Sequence, residues 1–351
     1  IASMSGEGNL RVEENLGEGY VRLRVSEAER RQAKHDIQHV EDIVIEMLRN
    51  ARDAGADKVY LATTKEDGVR TLVFLDNGSG VPQDMQERIF DARVTSKLES
   101  MKMDRWGVHG RGMALFSIKQ NTDEALVVAS DVDLGSVFKV SVATDRLGER
   151  ADQSSWPQAV KDEDGHYVCA RGPHNIIRAA CEFALEELRA CDVYLGSPSE
   201  IAATLHAQAS SRLDASRLLF IDDEAELPVV DRLGLASDAE DFIRICSGLG
   251  LEMSERTAHR ILAGQIKPVR CVTARLLRER DSSSHASAPV DLAKDRRGLR
   301  IAKDDMAQFS RAVERDFNDL ASRYYLNLCG DPKIRVSRDR ITVTFDLAKE
   351  E

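Results

Sequence analysis

The sequence predicts a mixed α/β fold, a two-layer sandwich over residues 20–147 followed by a mixed, largely helical extension. Three observations lead there. β-rich runs of period two alternate with helix-like segments through the first part of the chain. Glycine-rich turns at 77–82 and 107–112 mark where strands give way to helices. At 351 residues the chain is also too long for one small core, so a second region has to follow the first.

Tyr20–Val25 alternates (YVRLRV) and reads as a short strand, with a polar helix from Glu27 through Asn50 behind it. Strands follow at Lys58–Thr63 and Val69–Leu75, then the turn Asn77–Pro82 and a short helix at Gln83–Phe90. A polar loop, Thr95–Arg105, leads into the second glycine-rich stretch and an apolar helix start; β-rich runs come next at Ala125–Ser130 and Ser136–Val142. From Gly148 to Asn175 the composition turns polar, with Pro, Gly and Ser, which predicts a boundary at 147/148. Beyond it we read a helix at Ile176–Arg189, a strand-like VYL at 193–195, a helix opening at Ser197, a strand LLFI at 218–221 and helices across 237–279. This gives an α/β connecting region at 148–235, a helical module at 236–280, and a low-complexity flexible loop at 281–290. A C-terminal helix near 304–323 and a hairpin of KIRV and ITVTF, turning at Ser337–Asp339, complete residues 291–351.

Composition narrows the function classes. With 42% hydrophobic and 31% charged residues the chain is neither disordered nor membranous, and no apolar run nears the roughly 18 residues a spanning helix needs. A formal charge of −11 excludes nucleic-acid binding by the whole surface and leaves it only to a local basic stripe. Cys169, Cys181, Cys191, Cys246, Cys271 and Cys329 are widely spaced without a C-x-x-C pair. That argues against a zinc site or disulfide framework and for buried thiols in a reducing cytoplasm. Ile1–Asn9 has neither a starting Met nor the plan of a signal peptide, and residues 1–19 are set aside as a mobile arm.

Chemistry concentrates in the first part. In IEMLRNARDAGAD, Glu46, Asn50 and Asp53 recur at helical spacing and share one face, while Ile43 and Met47 pack. Taken alone, this pattern is equally a solvated helix face. The later strand ends in Asp76-Asn77-Gly78-Ser79-Gly80-Val81-Pro82. Its glycines let the backbone turn sharply against a planar ligand, and its carboxylate can accept from an amino group. Alone, it is also a common turn. Gly107-Val108-His109-Gly110-Arg111-Gly112-Met113-Ala114 sets three glycines ahead of a helix, where exposed N–H groups suit phosphate oxygens.

In this order and spacing the three boxes resemble the N-box and two glycine boxes of the gyrase, heat-shock chaperone, histidine kinase and MutL (GHKL) ATPase superfamily. Thr95-Ser96-Lys97 resembles the lid-side T-S-K of MutL and type IIB topoisomerases, and Gly135-Ser136 the Gly-Thr-type strand that closes the pocket. The resemblance spans residues 35–145 and implies a Bergerat-fold domain that binds and hydrolyses ATP with Mg²⁺. It implies Glu46 as general base, Asn50 as Mg²⁺ ligand and Asp76 as reader of adenine. Asp53 and Ala54 would run along the nucleoside, with Gly78 and Gly80 under the base. Thr95, Ser96 and Lys97 would meet the phosphates together with Gly107, Gly110, Gly112 and Met113. Arg111 departs from the family, where an apolar or acidic residue is common; it either adds a phosphate contact or points to solvent. A histidine-kinase role is disfavoured, because His35 and His39 sit on the N-box helix, too close to act as phosphoacceptors. The family also implies nucleotide-driven lid closure coupled to a second copy, a protein partner or DNA; the alternative is a nucleotide-sensing regulatory module with little turnover.

Within the superfamily the nearest likeness is to the B subunit of topoisomerase VI, through GVP and its short helix, S-K, the glycine loop and GSVFKVSVATD. That subunit carries a small helix–two-turns–helix domain, and Met253–Leu262 looks like such a module or a helix-turn-helix, with Ser254 as N-cap. Arg256, Arg260, Lys267, Arg270, Arg275, Arg278 and Arg280 reverse the chain's charge locally; DNA contact and a solvated basic face are equal readings of them. Leu218–Glu224 reads as a strand end with an acidic turn, since no P-loop accompanies it. No transducer is recognisable after residue 300.

Overall fold

The computed structural model describes residues 12–96, 102–104, 106–109, 112–150, 152–213, 221, 223–277 and, towards the C-terminus, 306, 309–310, 313–314, 317, 326–328, 332–336, 341–345 and 347–349. Two units are present, residues 1–281 and 282–351. The first begins with β1 (Val12–Gly17), β2 (Tyr20–Leu23), α1 (Glu27–Asp36), α2 (Val40–Asp53), β3 (Lys58–Glu66), β4 (Val69–Asp76), β5 (Val94–Thr95), β6 (Lys102–Asp104) and β7 (Gly107–His109). It continues through α3 (Ala114–Asn121), β8 (Glu124–Ser130), β9 (Ser136–Ala143), β10 (Gln158–Lys161), β11 (Tyr167–Arg171), α4 (Ile176–Glu186), β12 (Asp192–Gly196), α5 (Pro198–Arg212), α6 (Ala239–Gly248) and α7 (Glu255–Leu262).

The central sheet has the order β12-β3-β4-β9-β8, antiparallel except where β12 lies parallel to β3. Alternation along its strands sorts side chains to two faces. Val59, Leu61, Leu72, Phe74 and Val140 pack on Ile43, Met47 and Leu48 of α2, Ile118 of α3 and Phe183 of α4. Tyr60, Ala62, Val73 and Leu75 pack on Ile201 and Leu205 of α5, Phe242 and Ile245 of α6, and Ala258 of α7. The α/β sandwich is thus present, and the helical extension adds a layer on its far side. Burial on both faces explains why 59–62 and 72–75 read as continuous apolar runs.

Elsewhere the expectations shift. The sheet crosses the 147/148 boundary, because a strand joining in parallel needs a crossover, supplied here by the β10–β11 hairpin and α4. Residues 12–17 of the expected arm form β1, paired with β2. The single helix expected at 27–50 is two: the Asp42 carboxylate accepts the N–H groups of Gln38 and His39 at 3.0 and 2.9 Å and starts α2 afresh. Gln83–Phe90 is two 3₁₀ turns, Gln83–Met85 and Arg88–Phe90, anchored by buried Met85, Ile89 and Phe90. The loop at Thr95–Arg105 includes β6, which pairs with β7. Ser197 caps α5 as a capping box with Glu200, whereas Ser254 holds the N-cap position of α7 without a side-chain bond to it. Of the described cysteines, Cys181, Cys191 and Cys246 are buried, Cys169 and Cys271 only half-buried, and all are free thiols. The strand expected at 218–221 lies outside the described residues except for Ile221, as do the loop at 281–290, Arg278 and Arg280.

In the second unit, β13 (Leu326–Leu328) pairs with β16 (Leu347–Lys349), and β14 (Lys333–Val336) pairs with β15 (Ile341–Thr344) as the expected hairpin. Of the helix expected near 304–323, the described positions Met306, Phe309, Ser310, Val313, Glu314 and Phe317 are helical.

Beyond β9, Glu149 ties the chain back to the sheet, accepting from Arg70 Nε at 2.6 Å and Lys65 Nζ at 3.0 Å. Burial pushes this carboxyl up, but the hydrogen bonds and charges of Arg70 and Lys65 outweigh it and hold it below its ordinary 4.5. A depressed carboxyl contributes stability above its unfolded value and loses it as pH falls through the folded one. Glu149→Gln should therefore melt below wild type at neutral pH, with the gap closing as the pH drops below 4.5. A gap that stays constant across that range would contradict this role for the ion pair.

Candidate functional site

Helix α2 buries Val40, Ile43, Val44, Met47, Leu48 and Ala51 and turns Glu46, Asn50 and Asp53 to another side. Those three residues line a cavity of about 480 Å³. Asp76, 4% exposed, lines the same cavity from the last position of β4, in register with Ser136 of β9. Ser79 and Gly80 of the following turn, Arg93–Ser96, and Gly112–Ala114 at the start of α3 complete the wall, with Phe74 and Phe138 supplying apolar surface.

Close backbone packing sets these pieces against each other. Asn77 staples the turn to β3: its Oδ1 accepts the N–H groups of Asp57 and Lys58 at 3.1 and 2.9 Å, and its Nδ2 donates to Asp57 at 2.6 Å. Ser79 N–H donates to Ala54 O at 2.9 Å, so the turn rests on the end of α2. Gly78 N–H donates to Asp76 Oδ1 at 2.8 Å, and a Cβ at Gly78 would stand 2.8 Å from Ala54 O. Across the cavity, Arg93 N–H donates to Gly112 O at 2.8 Å, which pins the second glycine box beside β5. There α3 begins, and its first amides have no intrahelical acceptor.

Among the described lining residues are the carboxylates of Asp36, Glu46, Asp53 and Asp76 and the guanidiniums of Arg49 and Arg93. Arg49 Nη1 donates to Glu46 Oε1 at 2.7 Å. Arg52 Nε donates to Asp53 Oδ1 at 3.0 Å, and its Nη1 to Glu187 at 3.1 Å. Burial, with Glu187, Asp192, Asp57 and Asp76 adding negative field, pushes the Cys191 thiol up to about 12. That thiol is therefore no nucleophile at neutral pH.

Of the residues singled out from sequence, Glu46, Asn50, Asp53, Ala54, Asp76, Gly80, Thr95, Ser96, Gly112 and Met113 converge on the cavity. Gly78 is buried beneath the turn, and Gly107 opens β7. Lys97, Gly110 and Arg111 lie outside the described residues. Sequence reasoning passed over Arg49, Arg93 and Trp106, all on the cavity wall. The spacing of Arg49 from Glu46 on one helix was a usable signal; nothing local marked the other two.

Residues 37–144 match the family of histidine kinase-, DNA gyrase B-, and HSP90-like ATPases. This segment is a GHKL domain. The chain is also similar to the DNA mismatch repair protein MutL of Pediococcus pentosaceus, 30% identical over 115 residues, which cover 32% of this chain and 17% of that protein. The corresponding protein of Staphylococcus aureus is 31% identical over 112 residues, 31% of this chain and 16% of its own length. The matched segment holds all of the described cavity-lining residues except Tyr20, Gln32 and Asp36. The helices α5, α6 and α7, which cover the sheet's far face, lie beyond the segment that matches the family. Among the described residues no helix is long and apolar enough to cross a membrane.

Gly80 has φ +72°, and a Cβ there would stand 1.8 Å from Asp131 O, whereas Gly55 has φ +77° with nothing within 4 Å. Gly55→Ala should cost about 1 kcal/mol, the backbone penalty alone. Gly80→Ala should cost clearly more, because the turn must also move off Asp131. Urea denaturation of both variants tests this, and equal losses would argue against the close approach.

Proposed function

We propose that the chain binds ATP with Mg²⁺ in the GHKL cavity, hydrolyses it, and couples the resulting change in the phosphate-side segments to a partner. One observation carries this reading: a carboxylate, an amide and a second carboxylate, Glu46, Asn50 and Asp76, share one cavity with the start of a helix. Asp76 would accept from the adenine amino group, with Gly78 and Gly80 letting the base lie against backbone and Asp53 and Ala54 along the nucleoside. Thr95, Ser96, Lys97 and the amides of Gly110–Met113 would meet the phosphates, with Gly107 and Arg111 in the same loop.

The described walls suit a cation as well as a nucleotide. Carboxylates dominate them, so a free triphosphate would be repelled unless its charge were neutralised. Asn50, half-buried one helical turn from Glu46, offers a hard amide oxygen of the kind Mg²⁺ takes alongside phosphates and water. When bound, the ion would offset phosphate charge. Glu46 would take a proton from the attacking water as its oxygen bonds the γ-phosphorus and the β–γ bridging bond breaks to leave ADP. Glu46→Ala should abolish turnover, a loss of at least about 10²-fold, while ATP binding survives. Equal turnover by variant and wild type would remove the enzyme assignment and leave a nucleotide-sensing module.

The partner is proposed as a second copy, another protein or DNA, in the cytoplasm. One observation favours DNA. Arg256, Arg260, Lys267 and Arg270 are exposed on and after α7, and among the described residues none of them forms an ion pair. Arg275 instead lies over the Trp156 ring at 3.7 Å. If duplex DNA docks there, neutralising Arg256, Arg260 and Arg270 should flatten the slope of log affinity against log salt by about 0.9 for each phosphate that an arginine had neutralised. An unchanged slope would discard DNA as the partner.

A further inference from the structure

Arg49 is the buried cation of α2. Its side chain is 3% exposed, it lines the cavity, and its Nη1 lies 2.7 Å from Glu46 Oε1, one turn back on the same helix. A guanidinium this deep is costly unless an anion accompanies it, and the neighbouring buried positions Ile45, Met47, Leu48 and Ala51 are apolar. Glu46 is an anion at that distance, so the pair helps seat Arg49 in the wall and Arg49 helps hold the Glu46 carboxylate.

We propose that Arg49 is a positioning residue for hydrolysis, holding the Glu46 carboxylate ionised and in place at the cavity wall; this rests on the reading of Glu46 as general base given above. Held by Arg49 at Oε1, the Glu46 carboxylate takes the proton from water while the water oxygen bonds the γ-phosphorus and ADP departs. A guanidinium against a carboxylate favours the charged form, so Arg49 extends turnover to lower pH at the cost of some basicity. Among the described residues the other charged groups on the cavity wall are Asp53 on α2, Asp36 on α1, Asp76 on β4 and Arg93 before β5. Three of these are acids, which oppose ionisation of Glu46. Arg49 is the group shown in direct contact to offset them.

The test is the pH dependence of steady-state ATP hydrolysis by the full chain with Mg²⁺, for wild type, Arg49→Met, Arg49→Lys and Glu46→Gln, with folding checked by circular dichroism. For Arg49→Met we expect kcat to fall about ten- to a hundredfold, part of the roughly 10²–10⁴ a positioned base contributes, with KM for ATP little changed. The acid limb of the kcat profile should move up by about 1–3 pH units. Arg49→Lys should restore much of the rate and return the limb part of the way; if the Met variant does not fold, this limb decides. A raised KM with kcat and limb unchanged would overturn the proposal and make Arg49 a phosphate ligand. Wild-type kcat and limb in both Arg49 variants, with Glu46→Gln inactive, would overturn it while sparing the base assignment. Full activity of Glu46→Gln would bring down both.

Discussion

The two-sidedness of α2 is the constraint on which everything else turns. Its apolar stripe, Ile43, Val44, Met47 and Leu48, is fully or almost fully buried against the sheet and α4. Losing such a side chain to alanine would cost about 2–5 kcal/mol, so the helix cannot rotate without unpacking the core. With rotation fixed, Glu46, Asn50 and Asp53 have one place to go, the cavity facing Asp76. Close backbone contacts add translation to rotation: the turn after β4 bears on Ala54, and Gly78 admits that approach. The polar groups are set by packing that lies behind them.

The far side of the sheet gives this arrangement a second consequence. β4 ends in Asp76 at the cavity, yet its alternate residues Val73 and Leu75 pack into the cluster with α5, α6 and α7. The cavity and the layer that holds α7 thus share one strand. Gly250, at φ +68°, sits where a Cβ would meet Val73 and Val128 in ordinary contact, so the connection between α6 and α7 also touches the sheet.

Much of the site is legible in the sequence. Helical spacing puts Glu46, Asn50 and Asp53 on one face, and the glycines of 77–82 mark a close turn, because both signals are local. The break at Ile37–His39 is not legible, since it depends on Asp42 capping backward onto Gln38 and His39 in a stretch with no Pro or Gly. Nor is the entry of β12 into the sheet: VYL reads as a strand, but its partner is fixed by a crossover whose polar hairpin looks like a linker. Arg49 is marked only by its spacing from Glu46, a weak signal because a lone arginine in a polar helix reads as solvated; its burial against Glu46 shows otherwise. Arg93 and Trp106 reach the cavity by tertiary folding, which no local pattern encodes.

If the cavity between α2 and the end of β4 holds one adenine nucleotide, Asp76 must be indispensable to its binding. Isothermal titration of ATP with magnesium into the wild-type chain and into a folded Asp76→Ala variant tests this most directly. The account predicts a saturable single-site heat in the wild type that is lost in the variant. Absence of heat in the wild type, or undiminished binding without Asp76, would contradict it.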